Sequence, residues 1–280
     1  MKSLAELAAE QATLWNGPGG QGWLASQKRI ERSISGFGQA ALAEAAARPG
    51  EQVIDVGCGP GGTTAALARA VAPTGHVLGV DISQVLIDKA REQRLDNVTF
   101  AVGDAAAHPF ETARHNLVFS RFGVMFFADP VVAFGNLLRA LKPAGRLVFV
   151  CWRTPQENPW GLVPFRAAQP FLPPVQRPGP EEPGQYAFGD RARVERILMQ
   201  AGFAAPAFTP LDRSVWMADS IAEFLDGAQR FGVLAKPFAE AAPADVERAK
   251  AAITAALTPH QGPDGITLPG ACWLVSARAQ

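Results

Sequence analysis

The sequence predicts an α/β fold in which a mainly parallel, doubly wound sheet is covered by helices on both faces. From residue 51 onward, short apolar runs alternate with helical segments of about ten to fifteen residues, as in βαβ units. The strand-like runs are almost continuously apolar, as expected for strands that are buried on both faces. Hydrophobic residues make up 48% of the 280 residues and charged residues 19%, so the chain can bury a sizeable core.

The first fifty residues predict two helices joined by a loop. Apolar residues at helical spacing indicate helices over 3–15 and 24–47. Between them, the segment WNGPGGQGW holds four glycines and a proline between Trp15 and Trp23, a composition typical of a loop. Two interpretations of this loop remain open: a lid that closes over a ligand, or a tight turn whose indoles pack against the protein.

The next hundred residues carry the alternating pattern of strands and helices. In this part Ser83 is placed to cap a helix, and Pro130 stands in the first turn of another. The predicted strands are 53–57, 76–81, 97–104, 116–122 and 146–152, and the predicted helices are 63–72, 83–95 and 130–145.

Beyond Trp152 the composition changes. Residues 153–184 hold nine prolines, which predict an irregular segment that crosses the sheet edge. The later elements are a helix over 190–203, a strand within 206–217, helices over 219–235 and 243–257, and a final strand over 271–279. The chain thus divides into an N-terminal helical segment or lid, a ligand-binding core, a crossing segment with the rest of the core, a helical cap and a closing strand, over 1–50, 51–152, 153–212, 213–262 and 263–280.

Charge and cysteine content narrow the class of partner. The 26 basic and 26 acidic residues give zero formal net charge, whereas proteins that follow phosphate backbones carry a clustered basic surplus. We therefore expect no nucleic-acid substrate. Three scattered cysteines predict neither a disulfide framework nor a metal site. Acidic residues near the N-terminus and the lack of an apolar run of roughly 20 residues predict no membrane insertion and a cytoplasmic location.

A glycine-rich loop follows the first core strand. In VIDVGCGPGG, Gly57, Gly59 and Gly62 satisfy G-x-G-x-x-G, a pattern shared by several nucleotide-binding folds. Asp55 stands two residues before the loop, where its charge would repel the pyrophosphate of NAD or FAD. S-adenosylmethionine has no phosphate and carries a positive sulfonium and ammonium, so the same carboxylate favours it.

Two further acids end the next two predicted strands. Asp81 ends the second strand, 22 residues after Gly59, where it can accept hydrogen bonds from the ribose hydroxyls of either cofactor. Asp104 ends the third strand, where its carboxylate can accept from an adenine amine while the N–H of Ala105 faces a ring nitrogen. The strand-end acids therefore line one crevice, at the sheet edge where open α/β sheets bind ligands.

With these motifs, the chain resembles the class I S-adenosylmethionine-dependent methyltransferases, in the branch similar to ubiquinone-biosynthesis methyltransferases. The resemblance implies a Rossmann-like sheet of seven strands whose last strand is antiparallel, and ACWLVSARA fits that strand. The stretches that carry the resemblance run in family order from about residue 51 to 152: VIDVGCGPGG, VLGVDIS, VGDAAAHPF, NLVFSRFGVMFFADP and LKPAGRLVFVCW.

The resemblance also implies a set of cofactor-binding residues at the carboxyl ends of the strands. Within it, Asp81 corresponds to the ribose ligand, with Ile82 beside the adenine, and the carbonyl of Ser120 can meet the cofactor's ammonium. The whole set comprises Asp55, Gly57, Gly59, Gly61, Asp81, Ile82, Asp104, Ala105 and Ser120.

The sequence offers few candidates for acid–base catalysis. His260, in LTPHQGPDG, is a candidate general base, with loop hydrogen bonding as the alternative. Arg121 follows Ser120 at the mouth of the crevice and can either orient the acceptor or form a structural salt bridge. Methyl transfer from a sulfonium requires alignment of the reactants more than a strong base, so the small number of acid–base candidates is consistent with a methyltransferase.

We expect the aromatic-rich segments outside the shared core to determine which methyl acceptor binds. Trp15, Trp23 and Trp160 are candidates for contact with a small, apolar or aromatic acceptor; alternatively, such side chains only bury the added helices. Two other functions remain open: an NAD-dependent oxidoreductase on the same fold, and a non-catalytic S-adenosylmethionine-binding module. A homo-oligomer is compatible with the sequence.

Overall fold

A mostly parallel sheet lies at the centre of the computed structural model, which describes residues 2–175, 178–179 and 181–279. The strands are β1 (Gln52–Val56), β2 (His76–Asp81), β3 (Val98–Val102), β4 (His115–Arg121), β5 (Leu141–Trp152), β6 (Ala204–Ala218), β7 (Gln261–Gly262) and β8 (Gly265–Arg278). Seven of them follow the order β3-β2-β1-β4-β5-β8-β6, and the two-residue β7 pairs with β8 outside this path. The predicted α/β sheet with an antiparallel last strand is confirmed, because β8 runs antiparallel to both β5 and β6.

Helices pack against this sheet and extend beyond it. The helix α3 contacts β4, β5 and β6, whereas α4 contacts β1, β2 and β3. Within the described residues, no helix combines the length and the apolarity needed to cross a bilayer. The helices are α1 (Leu4–Asn16), α2 (Pro18–Ala25), α3 (Gln27–Ala45), α4 (Gly62–Val71), α5 (Gln84–Arg91), α6 (Pro130–Ala140), α7 (Pro159–Ala168), α8 (Arg191–Gln200), α9 (Ile221–Arg230), α10 (Ala235–Glu240) and α11 (Pro243–Leu257).

Two hydrophobic clusters stabilise the fold. The main cluster lies around the sheet and includes the fully buried Ile54, Phe119 and Phe149. A second cluster packs α7, α9, α10 and α11 against the far ends of β6 and β8, with Met217 and Ile266 among its members. The strands β6 and β8 therefore pass from the core into the predicted cap, and the predicted cap boundary at residue 213 falls inside β6.

The predicted loop at WNGPGGQGW is wrong, because Pro18–Ala25 forms the helix α2. Pro18 occupies the first turn, where backbone N–H groups make no intrahelical hydrogen bond, so a proline costs the helix nothing there. The glycines serve close packing rather than flexibility: a Cβ at Gly20 would overlap the Trp15 carbonyl oxygen, and one at Gly22 would overlap the Phe231 ring. The second contact joins the segment to a part of the chain distant in sequence.

Four other predicted elements differ from the structure. The helix predicted over 130–145 ends at Ala140, and residues 141–145 belong to β5. The proline-rich segment 153–184 is not wholly irregular, because Pro159 begins α7 in the same way that Pro18 begins α2. The predicted helix over 219–235 is divided into α9 and α10 at Gly232, whose φ of +92° is incompatible with a continuing helix. The closing strand begins at Gly265 rather than at 271, because it extends along β6 into the cap.

Candidate functional site

A cavity of about 930 Å³ opens at the carboxyl ends of the parallel strands. Its walls come from four parts of the chain: the strand ends of the core, the helices α1–α3, the helices α7 and α9 beside the end of β6, and the segment before α8, with Glu182 and Asp190. The core contributes the glycine loop after β1 and the acids Asp81 and Asp104. This volume lies within the range of cavities that bind small molecules and cofactors.

The glycine loop is shaped by three residues in left-handed backbone conformations. Gly57, Gly59 and Gly61 have φ values of +65°, +54° and +84°. A Cβ on Gly57 would lie 2.7 Å from the Gly123 Cα, and one on Gly61 would lie 2.5 Å from the Gln93 amide nitrogen. A Cβ on Gly59 would meet no atom within 4 Å. Gly57 and Gly59 line the cavity, whereas Gly61 packs behind the loop.

Asp81 connects the glycine loop to the end of β2. Its Oδ2 accepts a hydrogen bond of 2.8 Å from the Gly59 N–H, and its Oδ1 accepts one of 2.9 Å from the Ser83 N–H. Burial raises the pKa of Asp81 above its ordinary value, in opposition to these hydrogen bonds. Asp81 and Ile82 both line the cavity, as the prediction of a ribose and adenine site requires.

The turn after β3 is held by a residue that the sequence reasoning missed. Asn136 on α6 is buried and donates to the carbonyl oxygens of Ala105, at 2.8 Å, and His108, at 2.9 Å. The Asp104 Oδ1 accepts from the Ala106 N–H at 2.9 Å. Asp104 and Ala105 line the cavity, so Asn136 fixes the predicted adenine edge from behind.

Asp55 lies behind the glycine loop and not among the residues that line the cavity. Its side chain is fully buried, and Oδ2 accepts hydrogen bonds from the hydroxyls of Thr63, at 2.8 Å, and Thr64, at 2.6 Å. Within the described residues, Oδ1 has no hydrogen-bond partner. Burial raises the pKa of Asp55 to about 6. Its charge therefore acts on a ligand through the loop rather than by contact.

Ser120 and Arg121 at the end of β4 have different roles. Ser120 is buried outside the cavity lining, and its Oγ donates to the Val56 carbonyl at 2.8 Å and accepts from the Gly123 N–H at 3.2 Å. Arg121 lines the cavity but forms a two-pronged ion pair with Glu31. Of the two roles that the sequence left open for Arg121, the structure contains the salt bridge.

All three predicted tryptophans line the cavity. Trp15 stands edge-on to Phe126 with ring centroids 5.0 Å apart, and its centroid lies 6.2 Å from that of Trp23. Trp160 is tilted against Trp152 at 4.7 Å. Helices at the N-terminus and in the crossing segment thus contribute aromatic side chains to the cavity that the strand-end acids also line.

His260 does not lie with the other predicted site residues. It ends a short turn after α11 and is not part of the cavity lining. Arg29, by contrast, lines the cavity although the sequence reasoning did not select it. The sequence held no signal for this residue, because only the structure shows that Arg29 and Ser33 of α3 line the cavity. Across residues 2–175, 178–179 and 181–279, no three potential metal ligands cluster.

Sequence comparison matches residues 47–168 to the family described as "Methyltransferase domain". The chain is 31% identical over 169 residues to the demethylmenaquinone methyltransferase of Staphylococcus aureus, covering 56% of this chain and 69% of that one. It is 32% identical over 189 residues to a 37.1 kDa transposon protein of Streptomyces fradiae, covering 66% of this chain. The chain spans about half, 52%, of the length of that second relative.

Comparison with solved structures agrees on the fold. The phosphoethanolamine N-methyltransferase 2 of Haemonchus contortus, solved with S-adenosyl-L-methionine, superposes with a TM-score of 0.59 and 18% identity. The match covers all of this chain and 61% of that one. At this identity the likeness concerns the arrangement of strands and helices.

Proposed function

This chain belongs to the class I S-adenosylmethionine-dependent methyltransferases, and from that premise we propose that it methylates a small, apolar or aromatic acceptor. The observation that carries the proposal is a single cavity lined by two kinds of group. The glycine loop, Asp81 and Asp104 line it at the strand ends, and Trp15, Trp23 and Trp160 line it from the helices. A cofactor and an acceptor can therefore occupy one enclosure.

The strand-end wall fits S-adenosylmethionine better than a dinucleotide. Open space above Gly59 leaves room for a ligand against the loop backbone. Asp81 and Asp104 face the same space, and the buried Asp55 adds a third acid behind it. Such a wall attracts a ligand with a positive sulfonium and ammonium and repels a pyrophosphate. These observations disfavour an NAD-dependent oxidoreductase.

Catalysis in this proposal rests on alignment. When bound, S-adenosylmethionine would supply a methyl group activated by a positive sulfur, so that an acceptor nucleophile could bond to the methyl carbon in line as S-adenosylhomocysteine leaves. Within the part of the chain that the structure describes, no histidine lines the cavity. The chain's contribution is to fix the loop through Asp81, to orient the acceptor among the tryptophans and to exclude water, which together lower the barrier without a strong base.

Two measurements test the proposal. Calorimetry with S-adenosylhomocysteine and with NAD should show binding of the first alone. Incubation with methyl-labelled S-adenosylmethionine and a set of phenols, amines and quinol precursors should yield a labelled small molecule. The Staphylococcus aureus relative, named for demethylmenaquinone, supports the inclusion of quinol precursors. Cofactor binding with no labelled product would favour a non-catalytic binding module, and tighter binding of NAD would favour an oxidoreductase.

A further inference from the structure

Arg29 places a positive charge in the cavity wall without an acidic partner. It lies in the first turn of α3 and is half-buried. Within the described residues, its guanidinium forms no hydrogen bond or ion pair, whereas Arg32 on the same helix pairs with Asp219. Burial lowers the pKa of Arg29 from its ordinary value, a sign that the protein does not compensate its lost hydration.

The charges nearest to Arg29 are engaged elsewhere. Glu223, on α9, attracts the guanidinium from beyond ion-pair distance, but its carboxylate accepts a 2.8 Å hydrogen bond from the Asp219 N–H. Arg230, at the end of α9, repels Arg29 and pairs with Asp226. The guanidinium has five hydrogen-bond donors and no anion beside it, so it remains available to bind an anionic ligand.

The packing of α9 makes room for this guanidinium. A Cβ at Gly227 would overlap the Arg29 Nη1 atom. Glycine inside a helix weakens that helix, so its presence at this point is explained by the space that Arg29 occupies. The position of the charged group is therefore set by the fold.

The cavity that Arg29 lines also has a large apolar part, which includes Ile30, Phe224 and Phe231. A half-buried guanidinium that lacks a protein acceptor therefore lies in the lining of a mainly apolar cavity. This combination indicates a ligand that accepts hydrogen bonds at one end and is apolar elsewhere.

We propose that the methyl acceptor carries an anionic group, a carboxylate or a phosphate, which binds Arg29 while its apolar body lies among the aromatic residues. This inference rests on the proposed function, because it concerns the acceptor side of the same cavity. A planar guanidinium binds either anion through two hydrogen bonds. Acidic side chains in the same lining repel an anion, so we expect the charged end of the acceptor at Arg29 and not beside them. These acids are Asp81, Asp104, Glu182 and Asp190.

The test uses three probes of one shape: 2-naphthoate, 2-naphthyl phosphate and the uncharged 2-naphthamide. Each is titrated, by tryptophan fluorescence, into full-length protein saturated with S-adenosylhomocysteine. At least one anion should bind about tenfold or more tightly than the amide, and the preferred anion identifies the head group. Arg29→Met should remove this preference and leave the amide affinity unchanged. Gly227→Ala, which displaces the guanidinium, should reduce the preference in the same direction.

Lys28→Met is the matched control, because it removes one exposed positive charge next to Arg29 and should keep the anion preference. Equal affinity for all three probes, no saturable binding of either anion, or an unchanged preference in Arg29→Met would each overturn the inference. Calorimetry with S-adenosylhomocysteine on the same samples separates the two proposals. A protein that binds this cofactor product but shows no anion preference refutes the acceptor class alone, whereas loss of cofactor binding refutes the proposed function.

Discussion

Arg121 of β4 and Glu31 of α3 join sheet and helix through two hydrogen bonds, Nη1 to Oε2 at 2.8 Å and Nη2 to Oε1 at 2.5 Å. The Arg121 side chain is only 10% exposed and that of Glu31 34%. Two residues before Glu31 along α3, Arg29 faces the cavity. The ion pair thus positions the helix from which the proposed anion site projects.

We predict that Glu31→Gln lowers the unfolding free energy by about 1–3 kcal/mol, because it leaves a mostly buried guanidinium without its charged partner. Urea unfolding measures the change. Adding Arg121→Met to Glu31→Gln should recover part of the loss, since the buried charge is then removed as well. If the changes in unfolding free energy caused by Glu31→Gln and by Arg121→Met simply add in the double variant, the ion pair contributes nothing to stability.

Asp81→Ala should weaken S-adenosylhomocysteine binding by at least about tenfold. The substitution removes a predicted ribose ligand together with the carboxylate that fixes the Gly59 N–H. Calorimetry measures the affinity, and Asp88→Ala on the exposed side of α5 serves as a control. Equal affinities in wild type and Asp81→Ala would refute the assignment of this wall to the cofactor.

The pKa of Asp55 near 6 predicts a pH dependence of stability. This value exceeds the ordinary 3.8, so at a pH between 3.8 and 6 the folded protein binds a proton that the unfolded chain does not. The contribution of Asp55 to the unfolding free energy is therefore lost as the pH rises through 6. The unfolding free energy of wild type minus that of Asp55→Asn should therefore fall by about 2 kcal/mol from pH 4.5 to 7.5. Denaturant titrations at four pH values measure it. Parallel profiles for the two proteins would contradict the prediction.

The N-terminal segment should become more protected when cofactor binds. In α1 only Leu7 is buried, so few contacts hold this helix in place. Trp15 at its end lines the cavity and gains contacts from a ligand. Amide hydrogen exchange over residues 1–23 should slow in the presence of S-adenosylhomocysteine. The same exchange rates with and without the ligand would argue against a lid.

His260→Ala should leave turnover unchanged, because His260 lies outside the cavity lining. Once an acceptor is identified, steady-state rates of wild type and variant compare directly. A fall in kcat together with a changed pH profile would restore His260 as a candidate base.

The core of the site followed from the sequence because its determinants are local. A glycine loop and an acid at each of two strand ends place Gly57, Asp81 and Asp104 once the strands are recognised. The parallel sheet brings these strand ends to one edge, and this placement does not depend on how the other segments fold.

The remaining features depend on contacts between distant segments. The glycines of α2 resemble a loop until the Phe231 ring is known to pack against Gly22. Likewise, nothing in the sequence near Arg29 shows that it lacks an acidic partner, since Glu31 two residues away pairs with Arg121 instead. Asp55 bonds to Thr63 and Thr64 and does not line the cavity, an arrangement that is set by the helix that follows the loop.

The long pairing of β6 with β8 has a consequence for ligand exchange. It runs from Ala204 opposite Arg278 to Ala218 opposite Ile266, with a register shift near each end, so the cap and the sheet share one pair of strands. A hinge between them would have to break that ladder, so we expect the cap to stay fixed while ligands come and go. We expect opening instead at α1 and α2. The end of α1 is joined to the start of α5 by three hydrogen bonds: from the Ser83 hydroxyl to the Trp15 carbonyl, from the Asn16 amide to the Ile82 carbonyl, and from the Gln84 N–H to the Asn16 side-chain oxygen. We therefore expect the residence time of a ligand to depend on how often these three bonds break together.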